Sequence, residues 1–286
     1  MLTSQDLTPE GLALFLARNA TAAMAVGALT LVVLGTGLSL LLSRYGDTWL
    51  RKLLGAWSWL APRWRLPPTQ VALLLAVGFA FALATSALFL SLADEITEHE
   101  ELTRFDIALA DALRTHAQPA WQHFFSRLTR LGDMEVLVGV GVLVGLVLLM
   151  KRRYLDLACW TAATLGNGLL IRLLKHFFQR ERPQFEHGLV SVSSWSFPSG
   201  HASGSLVVYG MLSYLLLRAL PPAARAPLLG AACLLVIAIG FSRIYLHVHF
   251  ASDVLAGYAS GLTWMTMCIV VCEAARSRSL RPSPAR

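Results

Sequence analysis

Long apolar runs dominate the chain and predict its architecture. Residues 20–43 and 66–93 contain no charged side chain, and each exceeds the roughly 20 residues with which a helix crosses the apolar core of a bilayer. Further apolar segments follow at residues 134–150, 157–178, 201–219, 226–243 and 254–272. The pattern predicts an all-α, polytopic membrane helical bundle of seven spans.

The positions of Lys and Arg support this number of spans and orient it. Segments 136–150 and 157–171 offer only 15 uncharged residues each. Hydropathy alone therefore leaves open whether the number of spans is odd or even. Lys and Arg are enriched in cytoplasmic connections. One set of alternate connections and the C-terminal tail hold Arg44, Arg51, Lys52, Arg63, Arg65, Lys151, Arg152, Arg153, Arg218, Arg225, Arg276, Arg278, Arg281 and Arg286. The N-terminus is therefore expected on the extracytoplasmic side of the cell (inner) membrane and the C-terminus on the cytoplasmic side.

Three regions follow from the same pattern. Residues 1–69 are predicted to form an N-terminal transmembrane helix and a basic interfacial connector. Residues 70–275 are predicted to contain the other six spans. The last residues, 276–286, are rich in Arg, Ser and Pro, which is typical of a disordered tail.

Two connecting segments have an amphipathic pattern. Residues 47–64 carry aromatic and aliphatic positions beside basic ones, which indicates an interfacial helix, although a plain helical hairpin connector fits equally well. Residues 103–130 are similar, with a break at Pro119, and are expected to lie on the outer surface.

Composition excludes an ordinary soluble domain. Hydrophobic residues make up 56% of the 286 positions and charged residues only 14%, against roughly 25% charged in soluble domains. The formal net charge of +7 would by itself suit a nucleic-acid partner. Because much of the basic charge borders apolar spans, we expect the lipid bilayer as partner and no nucleic acid.

Ionisable side chains at membrane depth are costly, so the polar clusters at span ends are candidates for function. The first cluster contains Lys175 and Arg182, which are seven residues apart and would share one face of a helix. Pro183 disfavours helical backbone in the residue before it. Taken singly, each cation could instead be a snorkelling or orienting anchor.

The second cluster, Pro198-Ser199-Gly200-His201, comes directly before an apolar segment. Pro and Ser suit the start of a helix, and Gly200 lets the backbone approach an anion closely. The N–H groups around Ser199 and Gly200 are therefore predicted to hold phosphate. Ordinary helix-start punctuation is the alternative.

The third cluster contains Arg243, His249 and Asp253. His249 and Asp253 are four residues apart and would lie one above the other if this stretch were helical, as a histidine with an orienting carboxylate. The nearby His247 has no clear chemical role and is expected to pack or hydrogen-bond locally. Two spans separate this cluster from the other two, so all three should meet at one membrane face.

Together the clusters predict a phosphate site with catalytic groups and no metal ion. Their histidines and Asp253 could alternatively ligate zinc. Three positive side chains in one place would repel a metal cation and attract phosphate, which favours the metal-free interpretation. Asn167 and Arg172, inside the fourth span, are expected to face the bundle interior.

These clusters match the signature of the type-2 phosphatidic acid phosphatase superfamily: K-x6-RP, PSGH and SR-x5-H-x3-D. They stand at residues 175–183, 198–201 and 242–253, in that order and without a departure. The chain therefore resembles the membrane members of this superfamily over roughly residues 70–275. The first span looks like an addition to their core.

The resemblance implies a membrane lipid phosphate or pyrophosphate phosphatase without a cofactor. His249 would attack phosphorus, Asp253 would hold its tautomer, and His201 would protonate the departing oxygen before water hydrolyses the phosphohistidine. The residues implied to bind phosphate are Lys175, Arg182, Ser199, Gly200 and Arg243. Because this face is poor in Lys and Arg, the active site is expected at the extracytoplasmic face, with lipid chains entering between helices.

Two other functions fit the same residues. A lipid phosphotransferase would pass the phosphoryl group from His249 to another lipid or sugar, and phosphate release without an acceptor would argue against it. A catalytically silent lipid-phosphate binding protein is disfavoured by the intact histidines. The sequence leaves open the oligomeric state and the substrate, among phosphatidic acid, phosphatidylglycerophosphate, undecaprenyl pyrophosphate, lipid A phosphates and sphingoid phosphates.

Overall fold

The chain folds into a helical bundle, which the computed structural model describes for residues 8–20, 68–98, 100–183 and 194–279. All regular secondary structure within these ranges is helical. In chain order the helices are α1 (Pro9–Arg18), α2 (Pro68–Glu98), α3 (Glu101–His116), α4 (Pro119–Leu128), α5 (Met134–Met150), α6 (Tyr154–Phe178), α7 (Gly200–Leu217), α8 (Pro222–Tyr245) and α9 (Ala251–Ser279), with a 3-10 turn at Thr129–Gly132.

Six helical segments of the described chain are long and apolar enough to cross a membrane. They are Leu75–Glu98, Pro119–Met150, Tyr154–Phe178, Gly200–Leu217, Pro222–Tyr245 and Ala251–Ser277. They coincide with six of the seven predicted spans, which confirms a polytopic helical membrane bundle. The predicted first span, 20–43, lies beyond Ala20 outside the described residues, as does the whole connector 47–64.

The amphipathic segment after α2 forms α3 and α4, as the sequence predicted. The break falls at Ala117 and Gln118, and Pro119 begins the second helix, where its missing N–H and fixed φ are tolerated. Phe125 of α4 is fully buried, with its ring centroid 4.9 Å from that of Tyr245. The two helices therefore cover the end of the bundle at which α8 terminates.

Helix α9 continues past the predicted start of the disordered tail at residue 276. It runs to Ser279, because Arg276 pairs with Asp156 at 2.5 Å and with Glu273 at 3.6 Å. The pair with Asp156 fastens the last turns of α9 to the start of α6, whereas the pair with Glu273 lies within α9. The predicted boundary of the tail is therefore wrong by several residues.

Helix α7 lies at the centre of the bundle and has the largest buried share of the six spans. Val207 and Met211 are fully buried and pack with Trp160 of α6. Helix α9 approaches the start of α7 closely at Gly257, where an added Cβ would lie 2.6 Å from the carbonyl oxygen of Ser199. Only glycine permits this contact, which sets the second turn of α9 against the start of α7.

Two residues with left-handed backbone conformation end helices near the starts of α7 and α9. Gln179 (φ 46°) follows α6, and His247 (φ 57°) stands in the turn between α8 and α9. Left-handed backbone stops a helix and reverses the chain direction. The ends of α6 and α8 and the starts of α7 and α9 therefore come together at one end of the bundle.

Candidate active site

His249 lies in the turn between α8 and α9, and its two ring nitrogens have different partners. Nδ1 is 3.2 Å from Oδ2 of Asp253, and Nε2 is 3.1 Å from a guanidinium nitrogen of Arg182. A carboxylate only accepts hydrogen bonds and a guanidinium only donates them. In the neutral ring the proton therefore belongs on Nδ1, and Nε2 directs a lone pair toward Arg182.

The contact between His249 and Asp253 does not come from a shared helical turn, so that premise of the sequence analysis is wrong. Helix α9 begins at Ala251, which leaves His249 outside it and Asp253 in its first turn. Oδ2 of Asp253 accepts the N–H of Phe250 at 2.9 Å, as the acidic residue of a capping box does. The hydroxyl of Ser196 donates to the same oxygen. Helix capping therefore fixes the carboxylate that orients the histidine.

Arg180 connects this pair to the surface helix α3. It donates to Oδ1 of Asp253 at 2.7 Å and to Oδ2 of Asp106 at 3.0 Å. Asp106 is 1% exposed and also accepts from the N–H of Ser252 at 3.2 Å. Burial raises the pKa of Asp106, while Ser252 and Arg180 oppose that rise. A line of polar contacts thus runs from α3 to His249.

Lys175 and Arg182 donate to carbonyls of one short segment, residues 194–196. Lys175 Nζ donates to the carbonyl of Trp195, and Arg182 donates to the same oxygen at 3.2 Å. The predicted common helix face is wrong, because α6 ends at Phe178 and Arg182 lies in non-helical backbone. The two cations are brought together by the returning chain instead.

Arg243 is buried at the end of α8, with 1% of its surface exposed. One terminal nitrogen donates to the hydroxyl of Thr129 at 2.8 Å. Its Nε is buried and has no hydrogen-bond partner within the described part of the chain. A buried donor without an acceptor is costly, so this group is suited to receive an anion. Its charged neighbours include Arg182, Asp133 and Lys175.

His201, the second residue of α7, pairs with Asp133. Its Nε2 is 2.9 Å from Oδ1 of that carboxylate. Asp133 is the N-cap of α5 but makes no side-chain capping bond, although Asp in this position usually accepts one from the helix. The adjacent Gly132 makes the approach possible, since an added Cβ would lie 2.9 Å from the His201 ring.

The predicted phosphate-binding N–H groups lie around Ser199 and Gly200, and that of Ser199 has a partner within the protein. Ser199 is the N-cap of α7, and its side chain accepts the N–H of Ala202 at 3.5 Å. Its own N–H donates to the carbonyl of Asp253 at 2.9 Å, so this group is not free to hold phosphate. Helix geometry leaves the N–H groups of Gly200 and His201 as the available donors.

The two polar residues inside α6 differ. Asn167 is buried and accepts the hydroxyl of Ser203 at 2.7 Å, which confirms its predicted interior position. Arg172 is exposed, so its predicted interior position is wrong.

Arg172 lines a lateral cleft of about 720 Å³ between α5, α6 and α7. Most of its wall is apolar side chains and glycines, and Gly200 and His201 belong to it as well. Leu165 and Leu169 in the wall are 69% and 60% exposed. The cleft therefore opens on the side of the bundle and reaches the candidate active site.

Sequence reasoning did not single out Asp133, Arg180 or Asp106. Arg180 carries a weak signal, because it stands two residues before Arg182 in the first motif. Asp106 looks like one polar position of an amphipathic helix. None of the three has a spacing that ties it to its partner, since the contacts cross 68 to 74 residues of chain.

The buried position of His249 predicts sensitivity to acid. Burial lowers its pKa to about 3 despite the opposing effect of Asp253, whereas an imidazole in unfolded chain titrates near 6.5. Between these values the unfolded state holds a proton that the folded state lacks. Stability contributed at neutral pH is therefore lost as the pH falls from about 6.5 toward 3.

We expect the melting temperature of the detergent-purified protein to fall more between pH 7 and pH 4 than that of His249→Gln. Tryptophan fluorescence during heating measures this. The exposed His123, changed to Gln, is the control and should melt with the pH dependence of the wild type. Parallel decreases in wild type and His249→Gln would refute the assignment.

Fold and site together define a polytopic membrane protein with a cationic pocket around a histidine–carboxylate pair. A family model described as the PAP2 superfamily matches residues 156–276, which include all three motifs. Phosphatidylglycerophosphatase B of Bacillus subtilis is 33% identical over 159 residues, covering 55% of this chain and 78% of the relative. Decaprenylphosphoryl-5-phosphoribose phosphatase of Mycobacterium tuberculosis is 32% identical over 124 residues, covering 42% and 63%.

A solved structure supports the same family membership. The crystal structure of a transmembrane PAP2-type phosphatidylglycerolphosphate phosphatase from Bacillus subtilis superposes with a TM-score of 0.62 at 28% identity, covering 70% of this chain and 97% of that one. The chain belongs to the PAP2 superfamily, which confirms the resemblance to type-2 phosphatidic acid phosphatases. It is accordingly a membrane phosphatase.

Proposed function

We propose that this lipid phosphatase works through a phosphohistidine on His249 and without a metal ion. The observation that carries the proposal is the placement of His249 between Asp253 and Arg182. It leaves the Nε2 lone pair on the side of the cations, where a phosphate would bind. An orienting carboxylate of this kind activates a nucleophile by holding the correct tautomer.

Phosphate binding is assigned to Lys175, Arg182 and Arg243, with the N–H groups of Gly200 and His201. The carbonyls of residues 194–196 accept hydrogen bonds from the first two cations and hold them side by side. Positive groups fixed in a site poor in water stabilise the charge that develops during phosphoryl transfer. The same cations disfavour a metal ion at this place.

The reaction has two steps. Nε2 of His249 attacks phosphorus, the bond to the lipid oxygen breaks, and His201 gives that oxygen a proton. Asp133 stabilises the protonated ring of His201 and holds it in place. Water then attacks the phosphohistidine while His201 takes up a proton, the phosphorus–nitrogen bond breaks, and inorganic phosphate leaves with His249 restored.

Trapping the intermediate tests this proposal. Protein mixed with a ³²P-labelled lipid phosphate and quenched in alkali should carry label on the peptide that contains His249, and the label should be lost in acid. Label on an acyl phosphate would show the opposite stability and would overturn the histidine mechanism.

The described segments on either side of residues 21–67 support the proposed seventh span. Helix α1 packs against α3, and its Ala13 and Ala17 belong to the same apolar cluster as Leu113 of α3 and Val248 of the turn before α9. It therefore lies at the end of the bundle that holds the site. Helix α2 ends near α3 and, with 31 residues, reaches about 46 Å away from it. A crossing between α1 and α2 joins opposite membrane faces.

This arrangement fits the proposed orientation. With α1 and the proposed active site at one end, the excess of Lys and Arg at the other end supports an extracytoplasmic position for the N-terminus and for catalysis. Residues 1–69 are then an addition to a phosphatase core at 70–275, followed by the C-terminal tail.

The lateral cleft is assigned to the lipid chain of the substrate, because it is apolar and reaches His201. The relatives act, by their names, on phosphatidylglycerophosphate and decaprenylphosphoryl-5-phosphoribose. Both names specify a lipid with two phosphoryl groups, so lipids of this kind are the first substrates to test.

Filling the lateral cleft should weaken long-chain substrates selectively. A Cβ added at Gly168 meets no atom within 4 Å, so Gly168→Leu places its side chain in the cleft without disturbing the helix backbone. We expect KM for a long-chain lipid phosphate to rise about tenfold, which corresponds to about 1.4 kcal/mol. KM for a water-soluble short-chain phosphate should stay within about twofold.

Gly139→Leu is the matched control. An added Cβ there also meets no atom within 4 Å, but Gly139 lies on α5 outside the lining of the cleft. Steady-state kinetics on both substrates separate the two variants. Equal effects of Gly168→Leu on long and short substrates would refute the role of the cleft.

A further inference from the structure

Arg172 differs from the three arginines that build the candidate active site. Arg180 donates to Asp253, Arg182 to the carbonyl of Ser194, and Arg243 to Thr129. Arg172 has no hydrogen bond or ion pair with another described residue. Arg172 is an exposed residue and is therefore available to a ligand.

The position of Arg172 is unusual for an interfacial anchor. It stands six residues before the end of α6 at Phe178, about 9 Å from that end, and three residues before Lys175, on the same side of the helix. It lines the lateral cleft, to which His201 also belongs. A charge at this depth is costly and indicates function by default.

A lipid that enters along the lateral cleft passes Arg172 before its phosphate reaches His201. The guanidinium is a planar group with several donors that suits the two-pronged recognition of phosphate. Arg172 lies about one helical turn from Lys175, on the side toward the lipid chain of the substrate. An acidic group there would be placed between the hydrolysed phosphate and the lipid chain.

We propose that Arg172 binds a second phosphate of the substrate, located between the hydrolysed phosphate and the lipid chain. This assignment rests on the proposed function, because it takes the hydrolysed phosphate to lie among Lys175, Arg182 and Arg243. The second phosphate can be joined through an anhydride, as in a polyprenyl diphosphate, or through a diester, as in phosphatidylglycerophosphate.

The experiment compares wild type, Arg172→Gln and Arg172→Lys on three lipids in detergent. Phosphatidic acid has one phosphate, phosphatidylglycerophosphate has a second one as a diester, and a polyprenyl diphosphate has a second one as an anhydride. Arg114→Gln is the control, since Arg114 is exposed on α3 and contacts Asp111 only at 4.0 Å. Melting temperature and gel filtration monitor folding.

We expect Arg172→Gln to lower kcat/KM about tenfold or more on at least one two-phosphate lipid, the loss typical of a charge-assisted hydrogen bond. Phosphatidic acid should change by less than about threefold, and Arg172→Lys should recover part of the loss. The lipid with the larger effect identifies the linkage. An equal decrease on all three lipids, or no decrease, overturns the proposal.

Failure of the proposed function looks different. It would appear as phosphate release from all lipids that does not depend on His249. If Arg172→Gln does not fold, Arg172→Lys decides, because a lysine keeps the charge but loses the paired donors. An unchanged preference between one-phosphate and two-phosphate lipids in that variant would then refute the role of Arg172.

Discussion

Replacing His249 by glutamine should lower phosphate release from every lipid substrate by at least about 10⁴-fold, as for other nucleophiles of this kind. Glutamine keeps a donor for Asp253 and a similar volume, but its amide has no nucleophilic nitrogen to attack phosphorus. Release of inorganic phosphate by detergent-purified protein measures the effect. Because the proposed mechanism uses no metal ion, the wild type should still release inorganic phosphate in the presence of EDTA.

The comparison needs a histidine that is changed in the same way. His123 is exposed on α4, and His123→Gln should retain wild-type turnover. Near wild-type release by His249→Gln would end the phosphohistidine proposal. Release abolished by EDTA in the wild type would retain His249 as a candidate but replace the metal-free mechanism. Transfer to an added lipid or sugar with no phosphate released would indicate a phosphotransferase.

Replacing His201 by glutamine should lower kcat/KM by about 10²- to 10⁴-fold on substrates with alkyl leaving groups, the range for loss of a general acid. An alkoxide needs a proton as it departs, whereas a nitrophenolate hardly does. We therefore expect a much smaller decrease on soluble nitrophenyl phosphates. Because kcat/KM reports the steps up to formation of the phosphoryl-enzyme, the second role of His201 in hydrolysis does not obscure this difference.

Asp133 should share this pattern at lower amplitude, because it acts through His201. Asp133→Asn keeps the shape but loses the charge that stabilises the protonated ring, so the decrease should also be larger on alkyl than on nitrophenyl phosphates. Asp111→Asn, at a 60% exposed side chain on α3, is the control. Equal decreases on all leaving groups would assign His201 and Asp133 to structure alone.

The contacts of Arg180 connect the surface helix α3 to the candidate active site. Arg180 bridges Asp106 of α3 and Oδ1 of Asp253, while Oδ2 of Asp253 faces His249. Breaking a buried ion pair by removing one partner leaves an uncompensated charge. A rearrangement of α3 would therefore change the position of His249, although none of the proposed catalytic groups lies on α3.

The apolar runs and the spacing of the motifs were enough to predict the bundle and the candidate site residues. A helix in lipid must satisfy its backbone hydrogen bonds internally, so each crossing leaves a continuous signal in the sequence. The three motifs are short, and each is carried by one element end. That is why Lys175, His201 and His249 could be named before any contact was known.

The sequence did not determine how these residues meet. It predicted a helix face shared by Lys175 with Arg182, and one shared by His249 with Asp253 if that stretch were helical. In the structure α6 ends before Arg182 and α9 starts after His249. Helix ends depend on capping and on left-handed turns, which apolar periodicity does not encode. The pairs are instead held by backbone carbonyls and by a capping carboxylate.

The sequence by itself thus determined the membrane class, six helices and the residues of three motifs, because these depend on local pattern. Only the tertiary structure decided that Asp133 supports His201, that Asp106 and Arg180 support Asp253, and that Arg172 lines the lateral cleft. These contacts join residues far apart in the chain. They depend on the packing of α3, α5 and α6 around the starts of α7 and α9, for which no single segment carries a signal.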